Sequence, residues 1–298
     1  MSITEAEAAQ LSFERPSGLW ADAWDRFKRN PAALVGIVLI VVFILAAIFA
    51  AQIAPFEPNE QAGPLATNPA GPGGEHLLGL DMQGRDVFTR ILFGARLSLL
   101  VGLVSVSVGL ALGLVLGSLA GYLGGRVDFA IMRVMDLMLS VPGLLLAIAL
   151  VTVMGRGLIS IMLAVGIVQV PTFARLLRGS ILGQREADYV LAARSVGVPG
   201  RRVLLGHILP NSIAPVIVQA TLAMATAIIE VAALSFVGLG PNDPRLPEWG
   251  KMLAENANRL QQSVHLVLFP GLAIVFSTLG INLIGDGLRE AIDPKLKT

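Results

Sequence analysis

From Ala33 to Ile53 the chain is apolar, with Gln52 as its only polar side chain. Such a run constrains the fold more than any other feature. Backbone N–H and C=O groups placed in hydrocarbon must pair within the protein, so a segment crossing about 30 Å of lipid becomes a helix or joins a closed barrel. At about 1.5 Å per residue, this run is long enough to cross as a helix. Its apolar core is longer than the roughly 7–15 residues of a cleavable signal peptide, so it reads as a retained span. Five further runs, 97–120, 137–154, 158–177, 212–237 and 266–287, bring the expected number of crossings to six. Only a tight Met154–Leu158 hairpin separates the third from the fourth.

Composition agrees with an all-α membrane protein. Of 298 residues, 54% are hydrophobic and 14% charged, against about 25% charged in soluble domains. A net charge of +1 gives no concentrated basic surface for phosphates, so nucleic acid is not an expected partner. With no cysteine, disulfides, thiolate metal sites and a cysteine nucleophile are excluded. His76, His207 and His265 lie far apart and show no zinc spacing, so no metal site is expected.

Basic residues collect on the cytoplasmic side of membrane proteins. With the N-terminus inside, fifteen of the 22 Lys and Arg fall on inner segments, including Arg15, Arg26, Lys28, Arg29, Arg194, Arg201, Arg202, Lys295 and Lys297. Both ends are therefore expected in the cytoplasm of a bacterial inner membrane, with Arg175 and Arg178 marking the inner end of the fourth span. The organisation follows: a cytoplasmic segment 1–32, a first span 33–53, an extracytoplasmic segment 54–96, a five-span core 97–287 with an inner loop 180–211 and an outer loop 238–265, and a cytoplasmic tail 288–298. Within 1–32, Trp20, Trp24 and Phe27 make an aromatic stripe on a helix expected to lie flat on the inner surface.

The inner segment Tyr189–Asn211, "YVLAARSVGVPGRRVLLGHILPN", breaks the apolar pattern. Asp188 is placed to cap a short helix through Ala192, Ala193 and Val196. Gly197 would end it in a left-handed conformation, and Pro199–Gly200 would turn the chain. A second short helix is expected from Arg201, interrupted at Pro210, with Asn211–Ser212 starting the fifth span. The product is a compact helix-turn-helix suited to a groove on another protein. Spacing alone is equally consistent with a surface helix whose arginines only set orientation.

Here the residues resemble a family. Ala192, Ala193, Gly197, Leu209 and Pro210 fit the E-A-A, three residues, Gly, nine residues, I-x-L-P pattern of binding-protein-dependent ABC importer permeases. Leu191 replaces the Glu and His207 the Ile. Four further stretches, "HLLGLDMQGRDVFTRILFGARLSLLVG", "MRVMDLMLSVPGLLLAI", "ALSFVGLGPNDPRLPEWGKML" and "GDGLREAIDPKLK", resemble the C-type permease subunit of dipeptide, oligopeptide and nickel importers. The resemblance implies the six-helix type I ABC importer permease fold. It also implies that Tyr189, Ala192, Ala193, Gly197, Arg201, His207, Leu209 and Pro210 form a coupling helix for ATPase subunits. Implied partners are a homologous B-type permease, two ABC ATPase subunits that bind ATP and Mg, an extracytoplasmic substrate-binding protein, and the bilayer. No cofactor is expected on this chain.

Other motifs read structurally. Gly109, Gly113, Gly117 and Gly121, at four-residue intervals, leave one helical face open to a neighbouring helix. Asp81, Arg85, Asp86 and Arg90 suggest local ion pairs at the membrane rim, each contributing about 0–1 kcal/mol. Pro142–Gly143, near the start of the third span, is placed to begin that helix or to kink it as a hinge, with initiation favoured. Glu230 is the deepest carboxylate and should be protonated, paired, or turned to a water-filled translocation path. Asp286 is expected at the inner interface. The segment from Gly240 to Gln261 would cap the outer mouth or receive a binding protein.

No G-x-x-x-x-G-K-[ST] stretch occurs, so ATP hydrolysis is expected elsewhere. An intramembrane serine protease using His207 or His265 is disfavoured by the lack of G-x-S-x-G, and a secondary transporter by sparse intramembrane charge. The leading expectation is a non-enzymatic permease subunit for short peptides, with nickel or glutathione as the alternative cargo. A cysteine introduced at Ser195 of the cysteine-free chain is expected to react with an impermeant maleimide only after cells are permeabilised. Labelling in intact cells would reverse the topology.

Overall fold

A computed structural model describes residues 19–65, 69–241 and 243–292. The side chain of Trp20 and the basic residues Arg15, Lys295 and Lys297 lie outside what is described. Helices α1 (Leu19–Phe27), α2 (Pro31–Ile48), α3 (Ala50–Ile53), α4 (Val87–Leu123), α5 (Gly125–Leu139), α6 (Gly143–Met154) and α7 (Leu158–Arg185) make the first half. Then come α8 (Asp188–Ser195), α9 (Gly200–Val203), α10 (Leu209–Ser212), α11 (Ala214–Leu234), α12 (Trp249–Asn256) and α13 (His265–Ile292). Among the described residues there is no strand, only two isolated bridges in the 73–86 region.

Five helices, α2, α4, α7, α11 and α13, are long and apolar enough to cross a membrane. The expected third span is the exception. Instead of one helix over 137–154, α5 and α6 meet at 95°. Pro142 has no N–H to continue the first helix and disfavours helical geometry at Val141, so α5 ends at Leu139 and α6 restarts at Gly143. The twelve residues of α6 reach about 18 Å, so this crossing needs the bent pair. Two ion pairs from α7 hold α5 across the bend: Arg178 Nη2 lies 2.6 Å from Asp128 Oδ2, and Arg175 pairs with Asp136.

The core forms where small residues let helix backbones meet. Gly109, Gly113, Gly117 and Gly121 are all buried on α4 against α7. A Cβ on Gly109 would lie 2.6 Å from the Gly166 carbonyl oxygen, one on Gly113 would collide with Phe173, and one on Gly117 would lie 2.6 Å from the Ala174 oxygen. The N-terminal span docks similarly on α13: a Cβ on Gly36 would meet the Gly280 oxygen at 2.7 Å. Lipid tails are as apolar as these surfaces, so close packing supplies the association that hydrophobicity cannot.

Helix ends are satisfied locally. Asn30 caps α2, its Oδ1 accepting from Ala33 N at 3.0 Å, with Pro31 in the first turn. At the other end of α2, Arg96 donates to the carbonyls of Ala47 and Ile48. Asp86 caps α4 through Thr89 N at 2.8 Å, so that helix starts ten residues before the predicted span. The start of α2, the end of α4, the loop after α7 and the end of α13 lie at one end of the bundle. A Cβ on Gly287 of α13 would touch Ala33 of α2, and Arg185 Nη1 donates to Gly121 O at 2.9 Å.

At the opposite end, polar side chains form a buried lock. Asp81 Oδ2 lies 2.7 Å from Arg85 Nε and 3.6 Å from Arg90 Nε. Arg85 Nη1 donates to Pro244 O at 3.1 Å and Arg85 Nη2 lies 3.5 Å from Glu255 Oε2, tying the 238–265 loop to the start of α4. Asp81, Arg85 and Arg90 are buried rather than on a solvated rim. Only Arg90 is on a helix; Asp81 and Arg85 sit in the turn before it. Glu248 is also buried and caps α12, accepting from Gly250 N and Lys251 N at 2.8 Å each. Burial pushes its carboxyl above the usual range, opposed by those backbone donors. Trp249, also buried, donates to Ile91 O at 3.1 Å. The outer loop is therefore packed into the bundle end, with α12 against α4, α11 and α13.

Two outcomes follow. Gly113→Leu is expected to force α4 and α7 apart and lower thermal stability in detergent by at least the roughly 1–3 kcal/mol of core overpacking. Gly183→Ala, with open space at its Cβ position, should change little. Arg85→Met removes the shorter of Asp81's two ion pairs and the bond to Pro244 O, leaving buried Asp81 with Arg90 at 3.6 Å, and should cost about 3 kcal/mol in the same melting measurement.

Candidate functional site

The segment after α7 folds into a plate on the end of the bundle that carries the start of α2. Ala187, not Asp188, takes the cap position of α8; Asp188 falls in the first turn, where a negative charge suits the helix N-terminus. Gly197 has φ +81°. The turn is closed by Val198 N donating to Ala193 O at 3.1 Å and Gly197 N to Arg194 O at 3.0 Å. That left-handed turn is the one expected at Gly197.

The second half differs from expectation at Pro210. Helix α9 begins at Gly200, continues through a π turn over Leu204–Ile208, and runs on through α10 to Ser212. Leu209 N donates to Leu204 O, five residues back. This wider turn shifts the hydrogen-bond register just before the residue that has no N–H, so the helix accommodates Pro210 where an ordinary α-helix would break. Span α11 starts at Ala214 after Ile213, and Ser212 makes no cap bond.

One face of the plate is pinned and the other is open. Val190, Val203 and Ile208 are fully buried in the main core with Leu177 and Ile181 of α7. Gly200 packs against the hydroxyl of Tyr122, at the end of α4. Facing away are Leu191, Val196 at 81% exposure and Leu205 at 63%, with Arg194, Arg201 and Arg202 also exposed. Of the residues proposed for coupling, Tyr189, Ala192, Gly197, Arg201 and Pro210 are exposed, whereas Ala193, His207 and Leu209 are half-buried at the edge. Tyr189 donates its hydroxyl to Gln184 Oε1. The open apolar trio was missed in the sequence, because Leu205 and Val196 differ from buried Val203 and Val190 only in which side of the plate faces the core.

Glu230 projects from α11, and its Oε2 has no hydrogen-bond partner among the described residues. Thr226 and Ile229 on the same helix are exposed, as are Phe236 and Val237 in the π turn Ser235–Leu239 that follows it. Asp286 is exposed near the end of α13. No cluster of three or more potential metal ligands occurs among the described residues. His76 instead pairs with Asp86, Nδ1 to Oδ2 at 3.1 Å, and His265 Nε2 lies 3.3 Å from Leu80 O.

Known proteins share this plan. Residues 113–298 match the family described as binding-protein-dependent transport system inner membrane component. Residues 18–72 match the N-terminal TM domain of oligopeptide transport permease C. The chain is 47% identical to the dipeptide transport system permease protein DppC of Alkalihalophilus pseudofirmus, over 94% of this chain and 91% of that one. It is 44% identical to the di/tripeptide transport system permease protein DppC of Pseudomonas aeruginosa, over 99% and 98%. Identity is also 44% to the glutathione transport system permease protein GsiD of Shigella flexneri, over 93% and 91%. A solved structure of the MetNI methionine ABC transporter in inward-facing conformations shares the fold at a TM-score of 0.57 and 17% identity, covering 68% of this chain and 96% of that one. The chain belongs to the family of binding-protein-dependent transport system inner membrane components, as a permease subunit of an ABC importer.

Proposed function

We propose that this permease forms one half of the translocation path of an importer for dipeptides or other short peptides. ATPase subunits would drive it through Tyr189–Asn211. The observation that carries the coupling role is the two-faced plate, with Val190, Val203 and Ile208 locked into the core and Leu191, Val196 and Leu205 left open. Helix α7 runs into the plate and α11 runs out of it. A partner gripping the open face would therefore move two spans together, without any catalytic side chain on this chain.

In this reading the plate and both chain ends face the cytoplasm, as the basic-residue bias favours. Two ATPase subunits binding ATP and Mg supply the energy. A homologous B-type permease completes the path, and an extracytoplasmic binding protein delivers cargo to the end locked by Asp81, Arg85 and Arg90. Glu230 is half-buried on α11 with one carboxyl oxygen shielded and unpaired among the described residues, which suits a carboxyl that turns toward the translocation path. The peptide assignment draws on relatives named for dipeptides, di/tripeptides and glutathione. A related nickel or glutathione importer is the alternative, and uptake of labelled dipeptide against glutathione and nickel by the reconstituted complex separates them.

Val196→Asp alters only an exposed position, so membrane insertion and melting should stay normal while copurification of the ATPase subunits falls by tenfold or more, a loss of about 1.4 kcal/mol. Gly197→Val adds strain at positive φ of roughly 1–2 kcal/mol and should uncouple ATP hydrolysis from uptake. Unchanged assembly and uptake in both variants would remove the docking role.

A further inference from the structure

We infer that the cavity between α1, the first turn of α2 and the end of α13 holds the phosphodiester of an anionic membrane lipid. The cavity measures about 520 Å³, and Arg26, Arg29, Asn30 and Glu290 line it. Two guanidiniums against one carboxylate leave it net positive. Glu290 Oε2 accepts from Asn30 Nδ2 at 2.7 Å, which turns that carboxylate toward the amide. Arg26 also interacts within the chain; a guanidinium carries five donors, so it can serve a phosphate and a protein partner together.

Depth identifies the source of the anion. Arg29 is directly followed by the capped start of α2, and on that helix Leu34, Val35 and Val38 are exposed, with no cover from the described residues. Leu34 is five residues beyond Arg29, or about 7–8 Å along a helix axis. The cavity thus opens one to two turns outside the apolar belt, where phospholipid phosphates lie. Trp24, 60% exposed and stacked on Phe27 at 5.9 Å, gives α1 an aromatic edge at the same level, as interfacial anchors have. Phe27 and Ala23 are buried against Ala33 and Ala291. The wall is therefore built from both terminal helices of the described chain, and a lipid bound there would bridge them. The inference does not depend on which leaflet this is, nor on the cargo.

The test uses the purified transporter complex in neutral detergent, with melting temperature read against added short-chain phosphatidylglycerol, phosphatidylcholine, glycerol 3-phosphate and inorganic phosphate. Phosphatidylglycerol is expected to raise the melting temperature saturably, and phosphatidylcholine far less. The double variant R26Q/R29Q should weaken the phosphatidylglycerol midpoint roughly 25-fold, at about fivefold per arginine. Glu290→Gln should strengthen it. Equal stabilisation by phosphatidylcholine, or a midpoint that neither variant moves, would overturn the site. A shift reproduced by millimolar inorganic phosphate or glycerol 3-phosphate would overturn the lipid assignment in favour of a free-anion site. If R26Q/R29Q fails to assemble, the direction of the Glu290→Gln shift decides alone. None of these readings depends on uptake or ATPase coupling, so failure here leaves the proposed transport role intact.

Discussion

The contact between α4 and α7 supports the rest of the molecule. Gly109, Gly113, Gly117 and Gly121 present a nearly bare helix face, and α7 lies on it so closely that a single methyl at most of these positions would meet backbone or a Cβ. In lipid no hydrophobic gain separates this pairing from solvation by acyl chains, so dispersion at short range must hold it. Once the two helices are joined, their ends are fixed. The end of α4 supplies Tyr122 as a seat for Gly200, and α7 supplies the buried wall for Val190, Val203 and Ile208.

Polar chemistry is concentrated at the two ends of that apolar bundle, and each end is built differently. One end uses buried charge: Asp81 with Arg85 and Arg90, then Glu248 under Trp249. Such groups are costly to desolvate and destabilising to break, so they suit an element that keeps one geometry. The end that carries the plate instead uses an apolar anchor with an exposed apolar and basic face. That surface can receive a partner without rearranging the core beneath it.

A lipid bridging α1 and α13 would add a third fixed point at the end of the bundle that carries the plate. Helix α2 has few buried residues and meets the core chiefly through α13. At this end its position depends on a narrow contact, at Gly36 with Gly280 and Ala33 with Gly287. A headgroup held between Arg26, Arg29 and the end of α13 would steady that contact from outside the apolar belt.

Much of this was legible from local pattern. The apolar runs located five long spans, the glycine interval gave the packing face, and Gly197 gave the left-handed turn, because each depends on neighbours within a few residues. Tertiary structure decided what depends on distant residues or backbone register. It turned the break expected at Pro142–Gly143 into a 95° bend between two helices, so that the third crossing needs the bent pair. It carried a helix through Pro210 by a π turn, which a rule about prolines could not foresee. It also buried Asp81 and Arg85 together with Pro244, more than 150 residues away in the chain. Hydrocarbon selects helices by composition, so the spans are written along the sequence. Which charges lose water, and which apolar side chains remain open, is set only when those helices meet.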